Sequence, residues 1–370
     1  MPRVVLAGGG TGGHLFPMAG TAAALAESGL ALEQMVFVGS RRGQDRAILG
    51  AGPVRLIALP GRGLRRSLGP RALLQNLRAL AGLAGATLAC LGLFARWRPA
   101  VVVSFGGYAA LPAGLAAIVW RRPLVVVDLD AMPGVTQRIL GRVAAARCVA
   151  LEARRAGDEV TGVPLRAELA GLARDEPARR RARHEMSPPI EDARAVIVVM
   201  TGSLGARSVN DAVSDLAASW RARGDVTLVH VAGRRDFARV TARAPSLEGL
   251  DYRVVEFADM TQLWAIADVA LCRAGAATLA ELAALGIASV LVPLPGMAAH
   301  QAQNAERFAR AGAALVLEDA SLSVARLGAA LETLLDRAPR EAMGAAARSL
   351  ARPDAAARIA QVIRRTGSLG

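Results

Sequence analysis

The chain has 370 residues, of which 53% are hydrophobic and 21% charged, so it is long enough for two globular domains and too apolar for a disordered chain. The net charge is +14, and all 45 basic residues are arginine because the sequence contains no lysine. The missing lysine excludes P-loop nucleotide hydrolases and pyridoxal phosphate enzymes. The positive charge favours phosphate, anionic lipid or nucleic acid near the surface.

Cysteine and histidine are few and show no spacing typical of metal ligands. They are Cys90, Cys148, Cys272, His14, His184, His230 and His300. We therefore expect no metal site and no disulfide framework, as in a reducing compartment. A predicted strand begins four residues from the start, so we expect no secretory signal.

The first half of the chain alternates short apolar runs with longer amphipathic or alanine-rich segments. Near-continuous apolar strands predict a parallel sheet covered on both faces, as in a doubly wound α/β domain. The strands are predicted at Val4–Ala7, Met35–Val38, Leu56–Leu59, Val101–Ser104, Leu124–Val127 and Cys148–Ala150.

A glycine-rich segment, Gly8–His14, follows the first strand and opens a helix at about Leu15. Glycine allows a ligand to approach the backbone, and amides at a helix N-terminus favour an anion. The segment therefore predicts a phosphate site, with a tight turn that holds no ligand as the alternative. His14 is a candidate general base or positioning group, or else a histidine that bonds the helix start.

An arginine-rich stretch, Gly61–Arg78, leads into a charge-free segment over residues 79–95. Its arginines, near Leu64, Leu68, Leu73 and Leu74, are typical of a patch that lies on an anionic membrane leaflet. They are Arg62, Arg65, Arg66, Arg71 and Arg78. The charge-free segment is at the lower limit of length for a membrane span, and predicted strands flank it. A crossover helix is therefore favoured over a span.

Asp128-Leu129-Asp130 follows an apolar strand. An Asp-x-Asp pair can hold a divalent ion. The tripeptide is common by chance, however, and most examples are solvated turns, so we favour no metal here.

The α/β pattern restarts after a polar, proline-containing stretch over residues 173–192, which is typical of a surface loop or linker near a domain junction. The second set of strands is predicted at Ala195–Met200, Thr227–Val231, Val254–Phe257, Val269–Cys272, Ser289–Val292 and Ala314–Leu317. Each half begins with a strand that runs into a glycine-rich loop. The sequence therefore predicts two Rossmann-like domains that face each other across a cleft.

Two segments of the second half are suited to a nucleotide. Thr201–Arg207 offers glycines, the Ser203 hydroxyl and the Arg207 charge. Cys272–Glu281 joins a buried strand to a helix through small residues, whose amides can hold a diphosphate. Glu281 can accept hydrogen bonds from ribose hydroxyls, with a solvated helix carboxylate as the alternative. His300, Gln301 and Asn304 are suited to hydroxyl recognition or to ordinary polarity at a helix start.

Seven segments in this order resemble the MurG-type peptidoglycan N-acetylglucosaminyltransferases of glycosyltransferase family 28. They are GGGTGGHLFP at 8–17, SFGGYAALP at 104–112, PGVTQR at 133–138, TGSLGAR at 201–207, EFADM at 256–260, CRAGAATLAE at 272–281 and HQAQNA at 300–305. The resemblance implies the two-domain GT-B fold, inverting transfer from UDP-GlcNAc to the undecaprenyl-linked acceptor lipid I to give lipid II, and no metal or other cofactor. It also implies a peripheral protein on the cytoplasmic face of the bacterial inner membrane, which contacts an anionic surface and no nucleic acid.

The resemblance also implies roles by position. His14 and Asp130 are the candidate catalytic residues, Ala258 should meet uracil through its backbone, Glu281 should hold the ribose, and Arg166 should lie at the domain junction. The donor-binding candidates are Thr11, Gly12, Gly13, Asp130, Arg166, Ser203, Ala258, Arg273, Ala276, Ala277, Thr278, Leu279, Ala280, Glu281, His300 and Gln301. The candidates for the acceptor diphosphate are Gly10, Thr11, Gly12, Gly13, Gly106, Gly107 and Tyr108.

We expect an acceptor and membrane domain over residues 1–165, a donor domain over 166–351, and a C-terminal helix over 352–370 that packs back on the first domain. The chain departs from the family pattern over 127–130, where Val-Asp-Leu-Asp replaces His-Glu-Gln-Asn, and at Val163 and Leu204. These departures leave open a divergent paralogue with another acceptor or an inactive nucleotide-sugar-binding scaffold. A UDP-sugar epimerase would share the architecture but needs more acid–base groups than this chain offers.

Overall fold

The computed structural model describes residues 1–42, 44–61, 63, 69–202, 205–245, 248–296 and 299–369. The chain forms two compact units. Unit 1 consists of Met1–Ala167 and Arg352–Gly370, and unit 2 consists of Glu168–Ala351. Each unit has one parallel β-sheet with helices between successive strands, so the predicted fold class of two Rossmann-like α/β domains is confirmed.

Unit 1 contains a sheet of seven parallel strands. Their bounds are β1 Val4–Ala7, β2 Met35–Ser40, β3 Leu56–Leu59, β4 Val101–Ser104, β5 Leu124–Asp128, β6 Ala146–Val149 and β7 Asp158–Val160. The order across the sheet is β3-β2-β1-β4-β5-β6-β7, and Val4 pairs with both Met35 and Val101. All side chains of β1 and β4 are buried, because helices cover both faces of the sheet.

Among the described residues of unit 1, six α-helices connect or cover the strands. They are α1 Gly12–Glu27, α2 Asp45–Leu49, α3 Pro70–Trp97, α4 Leu111–Val119, α5 Val135–Leu140 and, from the end of the chain, α15 Ala355–Thr366. Helix α15 packs against α1, and Ile359 and Ile363 on its inner face are fully buried. The C-terminal segment thus completes the core of unit 1.

Helix α3 is the crossover connection between β3 and β4, as the sequence predicts. Ala86, Cys90 and Phe94 are buried in the core of unit 1, and the helix packs against α4. Its other face is exposed and apolar. Within Leu73–Trp97, a stretch of 18 residues has a mean hydropathy of 1.7 and is only 22% buried, so length and composition alone would also permit a membrane span. Arg62, Arg65 and Arg66 lie outside the described residues, as does the side chain of Arg71.

Unit 2 repeats the architecture with six parallel strands. They are β8 Ala195–Met200, β9 Val226–Val231, β10 Asp251–Val255, β11 Val269–Cys272, β12 Ala288–Leu291 and β13 Leu315–Val316, in the order β10-β9-β8-β11-β12-β13. The helices from the unit boundary onward are α6 Ala167–Ala170, α7 Glu176–His184, α8 Arg207–Ser219, α9 Phe237–Ala242, α10 Met260–Ile266, α11 Ala276–Leu285, α12 Ala299–Arg310, α13 Val324–Leu335 and α14 Arg337–Ser349.

The structure differs from the sequence-based prediction at two places where polar side chains mask ordered elements. Strand β7 was not predicted because it carries acidic residues, which pair with arginines: Asp158 with Arg147, and Glu159 with Arg365. The stretch over 173–192, predicted as a loop or linker, contains α7. This helix is bound to unit 2, since Arg183 donates to the buried Asp268 carboxylate at 2.6 Å.

His230 on β9 is fully buried and belongs to a chain of hydrogen bonds. Asn210 Nδ2 donates to Ala232 O and to Asp236, each at 3.0 Å, so its Oδ1 atom must accept from His230 Nε2 at 2.9 Å. The opposite ring nitrogen, Nδ1, then accepts from the Tyr252 hydroxyl at 2.8 Å. Burial lowers the pKa of His230 to about 4, so the ring is neutral at pH 7.

We expect His230 to make the protein less stable in acid. The folded pKa lies below the unfolded value of about 6.5, so the unfolded chain binds more protons between these values. The free energy of unfolding should therefore fall by up to about 1.4 kcal/mol per pH unit from pH 6.5 to pH 4. Urea unfolding at a series of pH values measures this slope. His230→Gln keeps both hydrogen-bonding functions without titrating, and an unchanged slope in that variant would contradict the assignment.

Candidate functional site

The strand order reverses once in each sheet, between β1 and β4 in unit 1 and between β8 and β11 in unit 2. Ligands of open α/β sheets bind outside the carboxyl ends of the strands at such a switch point, where the flanking loops diverge. Four loops leave these strand ends. We name residues 8–11 loop 1, residues 105–107 loop 2, residues 201–206 loop 3 and residues 273–275 loop 4.

Loops 1 and 2 approach each other more closely than side chains would allow. A Cβ atom on Gly107 would lie 2.6 Å from Gly9 O, and Gly107 has a φ of +72°. Gly10 and Gly106 also have positive φ values, +98° and +95°. Glycine is therefore required here by both space and conformation. The structure thus brings the candidate residues Gly10, Gly106 and Gly107 to one edge of the sheet.

His14 lies on the first turn of α1, beside loop 2. Its Nδ1 atom is 3.4 Å from Thr11 Oγ1, and a Cβ atom on Gly106 would lie 3.3 Å from the His14 ring. Gly12 and Gly13 begin α1, and no acidic residue lies in its first turn. The helix start therefore presents amide groups and an imidazole next to both loops, a combination suited to an anion and a proton transfer.

Tyr108 follows loop 2 and closes the same area. Its hydroxyl lies 2.9 Å from Ser40 Oγ at the end of β2, and its ring lies beside Gly10, Gly61 and Gly63. The aromatic ring thus packs against glycines of two segments, at ordinary van der Waals distances.

Gln137 on α5 is a site residue that the sequence analysis quoted within a motif but did not assign. Its buried amide donates to Ser104 O at 3.1 Å and to Val127 O at 2.7 Å, and it accepts from Ser104 Oγ at 2.6 Å. These bonds tie together the ends of β4 and β5, where loop 2 begins. The buried residues of α5 are Thr136, Gln137 and Leu140, so no apolar face in the sequence marked Gln137 as buried.

Asp45, the first residue of α2, is a second residue that sequence reasoning missed. It is fully buried and accepts hydrogen bonds from the Ser40 and Gly10 amides at 2.7 and 3.0 Å. Its position in a polar loop, Arg41–Arg46, gave no sequence signal for burial.

The Asp128-Leu129-Asp130 segment begins at the end of β5. Asp128 is 2% exposed, and its Oδ2 atom accepts from Arg147 at 3.0 Å and from Arg154 at 2.9 Å. Burial raises the pKa of Asp128, although both arginines act in the opposite direction. Asp130 is half-buried in the loop that follows. Among the described residues no group of three His, Cys, Asp or Glu side chains could hold a metal ion.

Arg166, expected at the domain junction, lies near the end of the first segment of unit 1. Its guanidinium carbon is 4.5 Å from the centre of the Phe16 ring on α1. This cation–π contact fixes the segment around Arg166, where the chain leaves unit 1, to helix α1.

In unit 2, loop 4 leads into α11, whose start is suited to a phosphate group. Gly275 is the N-cap, no side chain caps the helix, and the first turn contains no acidic residue. Ala276, Ala277 and Thr278 are half-buried there, whereas Leu279 packs into the core and Ala280 is half-buried. The first amides of a helix lack intrahelical partners, and the helix dipole favours negative charge at this end.

Glu281 lies one turn into α11 and is only 6% exposed. Trp264 of α10 donates its indole N–H to Glu281 Oε2 at 2.9 Å. A solvated surface carboxylate, the alternative to ribose binding, does not fit this burial. The Trp264 bond holds one carboxylate oxygen and so orients the group.

Arg273 in loop 4 is engaged by protein groups in this structure. Its guanidinium donates to Asp319 and to the Val292 and Pro293 carbonyl oxygens, the latter two at 3.0 and 3.1 Å. Asp319 also accepts from Ser208 Oγ at 2.7 Å. Arg273 therefore binds the end of β12 and the start of α8 to loop 4.

Loop 3 follows β8 and has the same close backbone approach as loop 1. A Cβ atom on Gly233 would lie 2.4 Å from Gly205 N, and Gly202, Gly205 and Gly233 have φ values of +89°, +84° and +79°. The Thr201 hydroxyl donates to Val231 O at 3.1 Å, which fixes the loop to the end of β9. Ser203, a predicted donor contact, and Leu204 lie outside the described residues.

Three further candidates of unit 2 come from its remaining segments. Ala258 is half-buried just before α10. Gln301 accepts from Leu294 N at 3.0 Å, and the buried Asn304 donates to Ala274 O at 3.1 Å, so α12 is fixed to loop 4 and to the end of β12. His300 lies half-buried beside them on the first turn of α12.

Two doubly wound units, each with a glycine-rich loop at its switch point, define the GT-B class of fold. The glycosyltransferase family 28 N-terminal domain matches residues 4–149, and the family's C-terminal domain matches residues 196–359. The chain belongs to glycosyltransferase family 28.

Relatives similar along nearly the whole chain carry one name, UDP-N-acetylglucosamine--N-acetylmuramyl-(pentapeptide) pyrophosphoryl-undecaprenol N-acetylglucosamine transferase. The protein of Xylella fastidiosa is 37% identical over 98% of this chain and 95% of its own length. That of Moorella thermoacetica is 36% identical over the full length of both. The crystal structure of Acinetobacter baumannii MurG is similar with a TM-score of 0.73 at 25% identity, covering 99% of this chain and all of that one.

Proposed function

We propose that this protein transfers N-acetylglucosamine from UDP-GlcNAc to the muramoyl-pentapeptide of an undecaprenyl diphosphate acceptor. The observation that carries the proposal is the full-length similarity to transferases named for this reaction. The two switch-point sites support it, because donor and acceptor each contain a diphosphate and each unit offers amide groups suited to one.

The donor is assigned to unit 2. The N-terminus of α11 receives the UDP diphosphate there, together with loop 3. Glu281 is the proposed acceptor of hydrogen bonds from the ribose hydroxyls, and the Trp264 indole holds its carboxylate in one orientation. Ala258 meets the uracil through its backbone, and His300 and Gln301 lie on the side of loop 4 where the sugar would bind.

The acceptor is assigned to unit 1, with its diphosphate at loops 1 and 2. Thr11, Gly12 and Gly13 offer backbone amides, Gly10 lets the loop approach closely, and Gly106, Gly107 and Tyr108 line the opposite side. The acceptor hydroxyl attacks the anomeric carbon as UDP leaves, which inverts that carbon. His14 is the proposed base for this hydroxyl, because it lies beside both loops, and Asp130 is the second candidate. Helix amides stabilise the leaving diphosphate, so the proposal requires no metal.

Transfer assayed with the purified protein, UDP-GlcNAc and a short-chain lipid I analogue tests the proposal. We expect disaccharide product and released UDP, with turnover unchanged by EDTA. UDP binding without turnover would instead favour a paralogue with another acceptor or an inactive scaffold, since the family pattern is altered over residues 127–130. Turnover that is lost in EDTA and restored by magnesium would assign a metal to the reaction.

Glu281→Ala should weaken UDP binding by at least ten-fold. Hydrogen bonds to a charged group contribute about 1.5–3 kcal/mol each, and the variant removes those from the ribose. Calorimetric titration with UDP measures the effect. Trp264→Phe removes only the indole donor and should weaken binding less. Equal UDP affinity in Glu281→Ala and the wild type would exclude the ribose assignment.

The membrane contact is assigned to the exposed face of α3 and the end of α4. Leu73, Leu77 and Leu80 are 50–61% exposed on α3. Val119 and Trp120 are 64% and 42% exposed at the end of α4, where the Trp120 indole donates to Leu91 O further along α3. Exposed arginines flank this surface: Arg78, Arg96 and Arg121. Apolar side chains framed by arginine are suited to an anionic leaflet. We therefore expect a peripheral protein on the cytoplasmic face of the inner membrane.

Leu77→Ser combined with Leu80→Ser should reduce binding to anionic vesicles by at least ten-fold, because burying each leucine contributes about 1.5–3 kcal/mol. UDP affinity should not change. Co-sedimentation at low and high salt measures the binding. Val316→Ser, at an exposed apolar position of unit 2, is the control and should bind vesicles like the wild type. Vesicle binding that survives the double change would place the contact elsewhere.

A further inference from the structure

Each unit contains a buried aspartate behind the glycine-rich loop that follows its first strand. Asp45 begins α2, which follows β2, and β2 lies next to β1. Asp236 precedes α9, which follows β9, and β9 lies next to β8. The two aspartates therefore occupy corresponding places in the two sheets. They are 0% and 4% exposed, so neither reaches solvent as a surface carboxylate would.

In unit 1 the Asp45 carboxylate bridges the end of β2 and loop 1. Oδ1 accepts from Ser40 N at 2.7 Å, and Oδ2 accepts from Gly10 N at 3.0 Å. Two glycines make the space for it, because a Cβ atom on Gly9 would lie 2.4 Å from Oδ1 and one on Gly39 would lie 2.6 Å from it. The Gly10 amide of loop 1 is thus held by the charged Asp45 carboxylate.

In unit 2 the Asp236 carboxylate also lies against loop 3, and the hydrogen bonds that it accepts come from the Asn210 and Arg235 side chains. A Cβ atom on Gly205 would lie 2.7 Å from Asp236 Oδ2, and the same oxygen accepts from the buried Asn210 amide at 3.0 Å. Asp236 N donates to Gly233 O at 3.1 Å, which ties the residue to the second glycine segment. Burial disfavours the charged form, yet the contributions of Arg235, Asn210 and Arg239 together outweigh burial and lower the pKa of Asp236.

Both loops would bind phosphate through backbone amides, and such binding depends on where those amides point. A difference of about 1 Å in the position of a binding group is enough to change affinity and rate strongly. Glycine loops have little conformational preference of their own, so a fixed acceptor behind the loop is needed to order them. A buried carboxylate suits this task, because it forms charge-assisted hydrogen bonds with the backbone or with the side chains behind it.

We propose that Asp45 and Asp236 are positioning residues, Asp45 for the acceptor diphosphate at loop 1 and Asp236 for the donor diphosphate at loop 3. The assignment of one substrate to each loop rests on the proposed function. Each aspartate acts through its loop and touches neither substrate. Changes at the two residues should therefore affect the binding of different substrates, although the residues occupy corresponding places in the two sheets.

Asp45→Asn and Asp236→Asn keep the volume of the side chain and remove its charge, and each variant is the matched control of the other. Asp45→Asn should raise the KM for the lipid I analogue about ten-fold and leave the KM for UDP-GlcNAc within two-fold. Asp236→Asn should raise the KM for UDP-GlcNAc and weaken calorimetric UDP binding by a similar factor, with little change in the acceptor KM. If the aspartates were purely structural, each variant would lower thermal stability and the active fraction of the protein, and hence kcat. The KM values for the two substrates would then not respond differently to the two variants.

Gly39→Ala provides a second variant for unit 1 outside the loop itself. Its Cβ atom would displace the Asp45 carboxylate from within β2, so it should reproduce the acceptor-specific rise in KM. If both aspartate variants change both KM values equally, or neither, the positioning roles are wrong. If the wild-type protein binds UDP but shows no transfer, the proposed function is contradicted instead. UDP binding to the Asp236→Asn and Asp45→Asn variants would then still test the role proposed for Asp236 at the donor site.

Discussion

The structure depends on a close approach between backbone segments at the carboxyl ends of neighbouring strands in each sheet. At loops 1 and 2, and again between loop 3 and Gly233, the distances leave no room for a Cβ atom. Parallel strands buried on both faces bring these loops to one edge, and only glycine lets the loops meet there. The consequence is an edge where backbone amides, rather than long side chains, provide the polar surface.

A polar surface made of backbone amides suits a chain without lysine. Phosphate recognition by helix amides needs no point charge on a flexible side chain, and the helix dipole adds to it. Many arginines serve another purpose in the units. Arg147 and Arg154 pair with Asp128, Arg183 pairs with Asp268, and Arg273 pairs with Asp319. A buried carboxylate is costly unless it is paired and hydrogen-bonded, and the planar guanidinium meets both needs. The arginine content is thus partly a stabilising feature of the interior and partly a property of the surface.

The polar interior also determines how the two sites are held. Gln137 joins the ends of two strands in unit 1, and the Asp236, Asn210, His230 and Tyr252 side chains form a continuous chain in unit 2. Hydrogen-bonded networks of this kind fix one arrangement of the backbone, because any alternative leaves a buried polar group unpaired. The loops at the switch points are therefore ordered by side chains that lie behind them.

The sequence by itself determined the fold class, twelve strands that each overlap an observed one and the glycine-rich segments, because apolar periodicity and glycine are local signals. It also determined the family, through motifs that are contiguous in the chain. Strand β7, helix α7 and the two buried residues Asp45 and Gln137 were not recognised, since their polar side chains look solvated until the partner segment is known. Only the tertiary structure decided that Arg273 is held by Asp319, and that Glu281 is buried against Trp264. Those outcomes depend on contacts between residues far apart in the chain, which no local pattern contains.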